Sequence, residues 1–448
     1  MSRIETAGGG AAKAPAPLYQ RLPHGPHRLG AEEVIRNQRT RMHGAMIEAV
    51  ALNGYERTSV KQVVGLAGVS RRSFYEQFAN KQECLLSTYD RIATRGAGRV
   101  SAAYRAARGD AQERMQAAFG ELGQAISTNW NSAGLVILEA PKAGAPALLR
   151  LRRASATFEQ MLADCFERTS TASPLPAPVI RGIAGGLHAA LSGCLREGTA
   201  ESAPAVAEEM FRWTLLFQTP AAKQLAERLS QRARTALARG RKPPRGLGES
   251  RTGATRASER ERLLEHALRL AVIEDYRELS APQIADAAGV PIDTFFELFD
   301  GKQECFLAAL DMLGERLMTL AADPGLRSGE WPQAVRRTIG DLMSYLAERP
   351  IYAQTIARGA VAAGPEASER NVRLAYGIAE RLTEGAPEQA RSMLALQGVA
   401  GALSHTVRCQ VASGQIQLLS VLSDYLSYIV LTPFIGAEEA AALVIEQN

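Results

Sequence analysis

The sequence predicts an all-α protein built as two tandem modules, each a helix-turn-helix head followed by a larger helical domain. Three observations carry this. Apolar residues recur at helical spacing, in Val34-Ile35, Met42, Met46 and Val50 and again in Leu263-Leu264, Leu268 and Ala271-Val272, while sustained β-type alternation is hard to find. The segment AGVSRRSFYEQFANKQECLL (Ala67 to Leu86) returns without a gap as AGVPIDTFFELFDGKQECFL (Ala288 to Leu307). Weaker echoes follow at slightly shorter offsets, Gly182 to Leu187 with Gly398 to Leu403 and then Thr219-Pro220 with Thr432-Pro433. Small loop deletions produce such a drift, and two long copies mark a duplication rather than a solenoid.

In chain order, residues 1–30 are rich in Gly, Ala and Pro and read as a disordered tail. They lack the apolar core of an export signal, so a cytoplasmic protein is expected. The first head spans 31–87. A long helix comes first, then Ser59 caps a short helix, Gly68 supplies a left-handed turn, and Ser70 caps the next short helix. Phe74 and Phe78 lie one turn apart on that helix and face inward. A first helical regulatory domain follows over 88–238. Residues 239–256, RGRKPPRGLGESRTGATR, read as an exposed linker. The second head spans 257–308, with Ser280 and Gly289 repeating the cap and the turn, and the second helical domain spans 309–448.

With Phe74 and Phe78 buried, Arg71, Arg72 and Tyr75 share the outer face of the helix that Ser70 opens, with Ser73 on the same helix. Arg binds guanine edges or clamps phosphate, and Tyr donates to phosphate or stacks on sugar and base. Lys81 opens the following helix, where its charge and the free N–H groups favour a phosphate. Thr58 and Ser59 open the preceding helix and are placed to contact the opposite phosphate. An ordinary solvated helix face is the competing reading, and the Gly turn with its Phe anchors argues against it.

The residues Gly54-Tyr55, Thr58-Ser59-Val60, Ala67-Gly68-Val69-Ser70, Phe74-Tyr75, Phe78, Lys81 and Glu83 resemble the amino-terminal DNA-binding domain of TetR-type bacterial transcriptional regulators. The resemblance covers about 36–86 and again about 262–307; the rest fits only in length and helical character. It implies a three-helix DNA-binding head joined to a helical domain for effector binding and dimerisation. It also implies that Ser70 to Phe78 is the recognition helix and that Tyr75, Lys81 and Thr58 contact phosphate.

The second copy keeps the core and loses the surface. Pro291, Ile292, Asp293 and Phe296 replace Ser70, Arg71, Arg72 and Tyr75. Residues 35–95 carry ten Lys/Arg against five Asp/Glu, a net of +5, and residues 256–316 carry seven against thirteen, a net of −6. Phosphate neutralisation dominates DNA affinity, so the acidic head is expected to be structural. Thr294 and Lys302 are its candidate contacts if it reads DNA with altered specificity, with Ile292 and Thr294 on apolar base edges. The asymmetry extends to the halves: residues 1–250 carry +13 and the remainder −8.

TetR-type regulators pair two chains through their last two helices. The counterparts here are Ile180 to Arg196 and Ala205 to Phe217, repeated near Leu394 to Ala412 and Ile416 to Leu431. The duplication suggests an intramolecular pseudo-dimer of the two modules; a homodimer of whole chains on a palindromic site is the alternative. Candidates for the pocket of an unidentified small-molecule effector are Trp130, Phe158, Phe166 and Trp213, and Trp331, Tyr345, Tyr352 and Tyr376, although such residues at helical spacing are more often core. The five cysteines form no CxxC and read as buried hydrophobes. The apolar stretch from Ile416 to Ala437 carries Asp424 and three serines and reads as a packing helix, not a membrane span. No GxSxG, HExxH, P-loop or di-metal carboxylate motif is present, so neither enzyme activity nor a cofactor or metal is expected. The sequence therefore points to a ligand-responsive repressor that reads double-stranded DNA through its first head. The rival is a helical interaction or effector-binding module in which neither head touches DNA.

Overall fold

The computed structural model describes residues 30–169, 175–238 and 256–446, apart from residues 275, 277, 360 and 361. The expected tail (1–30) and linker (239–256) lie, but for Gly30 and Arg256, outside the described residues. Among the described residues every regular element is helical, and the chain divides into two compact units, Met1–Arg91 and Ile92–Asn448.

The first unit contains α1 (Ala31–Arg57), α2 (Val60–Ala67), α3 (Arg71–Tyr75) and the start of α4 (Lys81–Ala106). Met42, Ala45, Met46, Ala49 and Val50 line the inner face of α1 and are buried. Gly54 takes φ 72° and breaks α1 one turn before its end. Ser59 caps α2 in a reciprocal box with Gln62, whose Oε1 accepts from the Ser59 N–H at 2.8 Å. Gly68 ends α2 in the left-handed conformation, φ 59° and ψ 42°, and Val69 N–H reaches back to the Val64 carbonyl at 3.1 Å. Buried Arg41 donates to the carbonyls of Ala67 and Gly68, satisfying the helix end from α1. His43 Nδ1 lies 2.8 Å from the Thr88 hydroxyl, which itself donates to the Cys84 carbonyl, so the imidazole is the donor.

The second unit holds α5 (Ala111–Thr128), α6 (Trp130–Gly134), α7 (Ala145–Thr169), α8 (Ala177–Glu197), α9 (Ala203–Leu215) and α10 (Ala222–Ala238). Then come α11 (Arg256–Ile273), α12 (Ala281–Ala288), α13 (Ile292–Leu298), α14 (Lys302–Leu320), α15 (Trp331–Glu348) and α16 (Pro350–Gln354). It closes with α17 (Pro365–Thr383), α18 (Met393–Ala412), α19 (Leu419–Ile435) and α20 (Ala437–Glu446). The duplication is visible in irregularities as well as in helices. A π-helical turn follows α6 at Leu135–Glu139, and another follows α16 at Thr355–Gly359, the matching place in the second copy. Positive-φ glycines then open α7 and α17: Gly144 at 84° and Gly364 at 102°. Two rare features repeated in step show that the copies share a fold well beyond the heads.

The broadest helix–helix contact joins the copies, α8 against α18. Small residues bring the backbones together: a Cβ on Gly186 would stand 3.0 Å from the Gly398 Cα. Helix α10 of the first copy packs on α19 and α20 of the second, with the Tyr425 hydroxyl donating to the Leu225 carbonyl and Tyr428 to Phe217 at 2.8 Å. Residues Ile416–Ile435 are long and apolar enough to cross a membrane by length and composition, yet most of the stretch is covered by α15, α8, α10 and α20. Its one acid, Asp424, is buried and paired with Arg336 at 3.3 Å.

Candidate nucleic-acid interface

In the first head, Ser70 caps α3 by accepting from the Ser73 N–H at 3.0 Å, and the two hydroxyls lie 2.9 Å apart. Phe74 and Phe78 are fully buried with ring centroids 5.6 Å apart, and Phe78 also carries the Arg39 guanidinium over its face. That anchoring leaves Arg71, Arg72 and Tyr75 outward, with Tyr75 about half exposed at 51%. Arg72 is paired with Glu76 at 2.9 Å, but both side chains are well exposed, so the pair is weak and exchangeable for a phosphate. Sequence reasoning missed Glu76, although its place four residues on from Arg72 was the signal.

Two expected phosphate contacts are corrected. Thr58 is buried, and its hydroxyl donates to the Gly54 carbonyl at 2.7 Å, with the Ala49 carbonyl 3.2 Å away. The Lys81 ammonium donates to the carbonyls of Tyr55 at 2.9 Å and Glu56 at 3.2 Å, and sits 4.3 Å from the centre of the Tyr55 ring. It closes the end of α1 against α4, and burial draws its pKa down. The repeat held a sign of both roles. Leu279 stands in the second copy where Thr58 stands, and Lys302 survives in a head stripped of its other basic contacts. Lys302 donates to the Tyr276 carbonyl at 3.1 Å and to Leu279, and lies 5.0 Å from the Tyr276 ring, so its ammonium too is bonded into the scaffold.

The second head otherwise reproduces the first. Gly289 has φ 61° and ψ 41°, Ser280 and Gln283 repeat the capping box, and Phe295 and Phe299 are buried 5.7 Å apart. Pro291 gives α13 no side-chain cap. Its outer face presents Ile292, Asp293 and Phe296, the last 54% exposed, with Thr294 partly covered. Apolar groups and a carboxylate thus occupy the places of the guanidinium and phenol groups.

The eight aromatic residues expected to line an effector pocket are not gathered into one. Trp213 is pinned over Gly186 and Gly398, Trp331 donates to the Leu382 carbonyl at 2.8 Å, and Phe166 is core. Phe158 packs on Phe119, Trp130 covers a small cluster with Ile126 and Leu195, and Tyr376 is partly buried. Tyr345 stacks on Tyr352, whose hydroxyl donates to Glu265 at 2.8 Å. Packing consumes them. A groove of about 610 Å³ lies instead between α11 and α14, lined by Arg260, Glu261, Asp311, Glu315 and Arg316 among others and by none of the eight.

The sequence model for bacterial regulatory proteins of the tetR family matches residues 45–88 and 263–309. None of the curated proteins matches the chain. Among solved structures, the fatty acid degradation regulator FadR from Bacillus halodurans is similar over 38% of this chain and 96% of its own, at 16% identity and a TM-score of 0.34. The transcriptional regulator FadR from Bacillus subtilis in complex with stearoyl-CoA covers the same shares at 16% identity and a TM-score of 0.33. The two matches fall on the two heads, so the chain carries the DNA-binding domain of the tetR-family type twice.

Proposed function

We propose that this DNA-binding transcriptional regulator is a ligand-responsive repressor of the cytoplasm that reads double-stranded DNA through its first head, with the second head kept as scaffold. Arg71, Arg72, Ser73 and Tyr75 would meet the duplex, flanked by Ser59 and Ser70. The observation that carries this reading is the exchange on one scaffold: Arg71, Arg72 and Tyr75 outward on α3 against Ile292, Asp293 and Phe296 outward on α13. The pairing of α8 with α18 supports a second part of the reading, that one chain supplies the module pair for which relatives need two chains. The groove between α11 and α14 is in the size range of small-molecule sites and is lined by both charges, which suits a small polar effector.

Titration of operator DNA against salt tests the first part. Arg71→Ala with Arg72→Ala should cost about 2–6 kcal/mol and flatten the salt slope by up to about two; unchanged affinity and slope would leave the interaction-module reading standing. Light scattering of the DNA complex tests the second. A protein mass near 48.2 kDa supports the pseudo-dimer, and twice that supports a homodimer.

A further inference from the structure

Five cysteines are spread over the chain, and four are buried. Burial pushes the thiols of Cys84 and Cys305 up to about 12 and that of Cys165 to about 11. Cys409, near the end of α18, differs. It is partly exposed, and its Sγ lies 3.3 Å from His405 Nε2, one turn earlier on the same helix. The same Nε2 lies 3.5 Å from Glu159 Oε1 on α7, and Glu159 Oε2 is 3.7 Å from Arg181 Nε on α8. The four groups form a chain, guanidinium, carboxylate, imidazole, thiol, whose order suits alternating charge if the proton sits on His405. One shared N–H faces both anions, so this is not a relay through both ring nitrogens. It is a local field that favours a proton on His405 and disfavours one on Cys409.

Other charges around the imidazole do not cancel the effect. Burial and neighbouring Arg408 oppose the charge on His405, yet its bonds to Cys409 and Glu159 outweigh them and raise its pKa. Burial, and less strongly the Glu159 carboxylate, raise the Cys409 thiol, and the hydrogen bond and charge of His405 with the Arg181 guanidinium overcome them, leaving the thiol below its usual value. His188 on α8, also near, is held neutral by its own burial.

The cluster exists in one copy only. With Gly182 set against Gly398, Cys409 corresponds to Gly193, His405 to Ala189, and Arg181 to Gln397. Those counterparts meet across the crossing too, since a Cβ on Gly193 would collide with the Gln397 amide. On one side the position is filled by neutral packing, and on the other by a nucleophile, a proton donor and a carboxylate that holds the donor. Nucleophile and base within reach, with the base oriented by a third group, is the arrangement of an activated thiol.

We propose that Cys409 is a nucleophilic thiolate positioned by His405 and Glu159, and that it captures α,β-unsaturated carbonyl compounds. The sulfur forms a bond to the β-carbon, the alkene π pair moves toward the carbonyl, and the His405 Nε2 proton is delivered to the resulting enolate. His405 is left neutral, so the proton and the charge both balance within the pair. No oxidant and no leaving group is required, and oxidation to a disulfide finds no exposed second thiol, because the other four cysteines are buried.

The test is limiting N-ethylmaleimide, itself such a carbonyl compound, added to the full-length folded chain, with peptide mapping by mass spectrometry. The first adduct should fall on Cys409, at a rate whose pH profile levels off below the ordinary thiol range of about 8.5. An ordinary thiol is only a few per cent ionised at pH 7, and lower basicity also dulls a thiolate. His405→Gln should therefore slow labelling at pH 7 by roughly fivefold and move the pH profile up toward that of a free thiol. Glu159→Gln removes the support of His405 and also a carboxylate that opposes the thiolate, so it should slow labelling less than His405→Gln does. A Cys409 rate that climbs tenfold per pH unit up to the ordinary range in the wild type, or first labelling at another cysteine, overturns the proposal. The wild-type profile decides alone if either variant fails to fold.

Discussion

Gly185 and Gly401 stand against each other where α8 crosses α18: a Cβ on Gly185 would lie 2.8 Å from the Gly401 carbonyl oxygen, and one on Gly401 would collide with that of Gly185. Each is the repeat counterpart of the other. Their neighbours exchange in the same manner. Gly182 packs on Ala402, and their counterparts Gly398 and Gly186 pack together in turn. Residue i meeting j while j's counterpart meets i's is the signature of a two-fold interface, here closed within one polypeptide.

Bulk on that axis should break the pairing. Gly185→Val or Gly401→Val places a side chain against backbone and is expected to cost at least about 1–3 kcal/mol in urea denaturation of the full chain. Gly340, inside α15 with open space around it, is the control. Gly340→Ala should be neutral or stabilise by up to about 1 kcal/mol through helix propensity. Equal effects at the two sites would show that the glycine crossing carries no weight.

Lys81 and Arg71 should separate stability from DNA binding. Lys81→Ala removes two carbonyl bonds and a cation–π contact, so the first unit should lose about 1–3 kcal/mol. Arg71→Ala, on the exposed face, should alter stability by no more than about 0.5 kcal/mol while weakening DNA binding. Circular dichroism melts beside DNA titrations would read both, and a Lys81→Ala protein that melts normally but binds DNA poorly would restore the phosphate role.

Acid should loosen the first unit through His43. Burial foremost, then Arg91 and Arg39, lower its pKa from 6.5 to about 4. The unfolded chain therefore takes up a proton below about 6.5 that the folded imidazole refuses until about 4. Stability is fully present above that window and falls by about 3 kcal/mol as pH drops through it. His43→Gln should lose this pH dependence between 6.5 and about 4 when unfolding is followed at several pH values; an unchanged dependence would assign it elsewhere.

What was legible in the sequence was local. Gly68 and Gly289 mark a left-handed turn, and Phe74 with Phe78 announces a buried helix face, because backbone conformation and one-turn spacing follow from residue type alone. Thr58 and Lys81 were misread because the direction of a side chain depends on what packs across from it. For Lys81 that is the end of α1, far back along the chain. The glycines of α8 and α18 announced close approach but not each other. His405 and Cys409, four apart on α18, could be paired by spacing, but Glu159 could not be linked to them, since folding alone brings α7 to the end of α18.

The strongest check on the assignment of the two heads is to transplant the surface. In a chain carrying Arg71→Ala and Arg72→Ala, the substitutions Pro291→Ser, Ile292→Arg, Asp293→Arg and Phe296→Tyr return to the second head the cap and the three outward groups it lacks. The buried pair Phe295 and Phe299 and the Gly289 turn already match the first head, so the graft changes surface without touching core. Local charge rises by three across α13, and each new phosphate contact adds about 0.9 to the salt slope. Salt-dependent DNA binding should therefore reappear, weaker than in the original head because thirteen acidic residues, less the one replaced, still surround the graft over 256–316. If the grafted chain folds and binds nothing, the outward residues of α3 are insufficient to make a reader, and the first head must draw its affinity from elsewhere in its +5 surface.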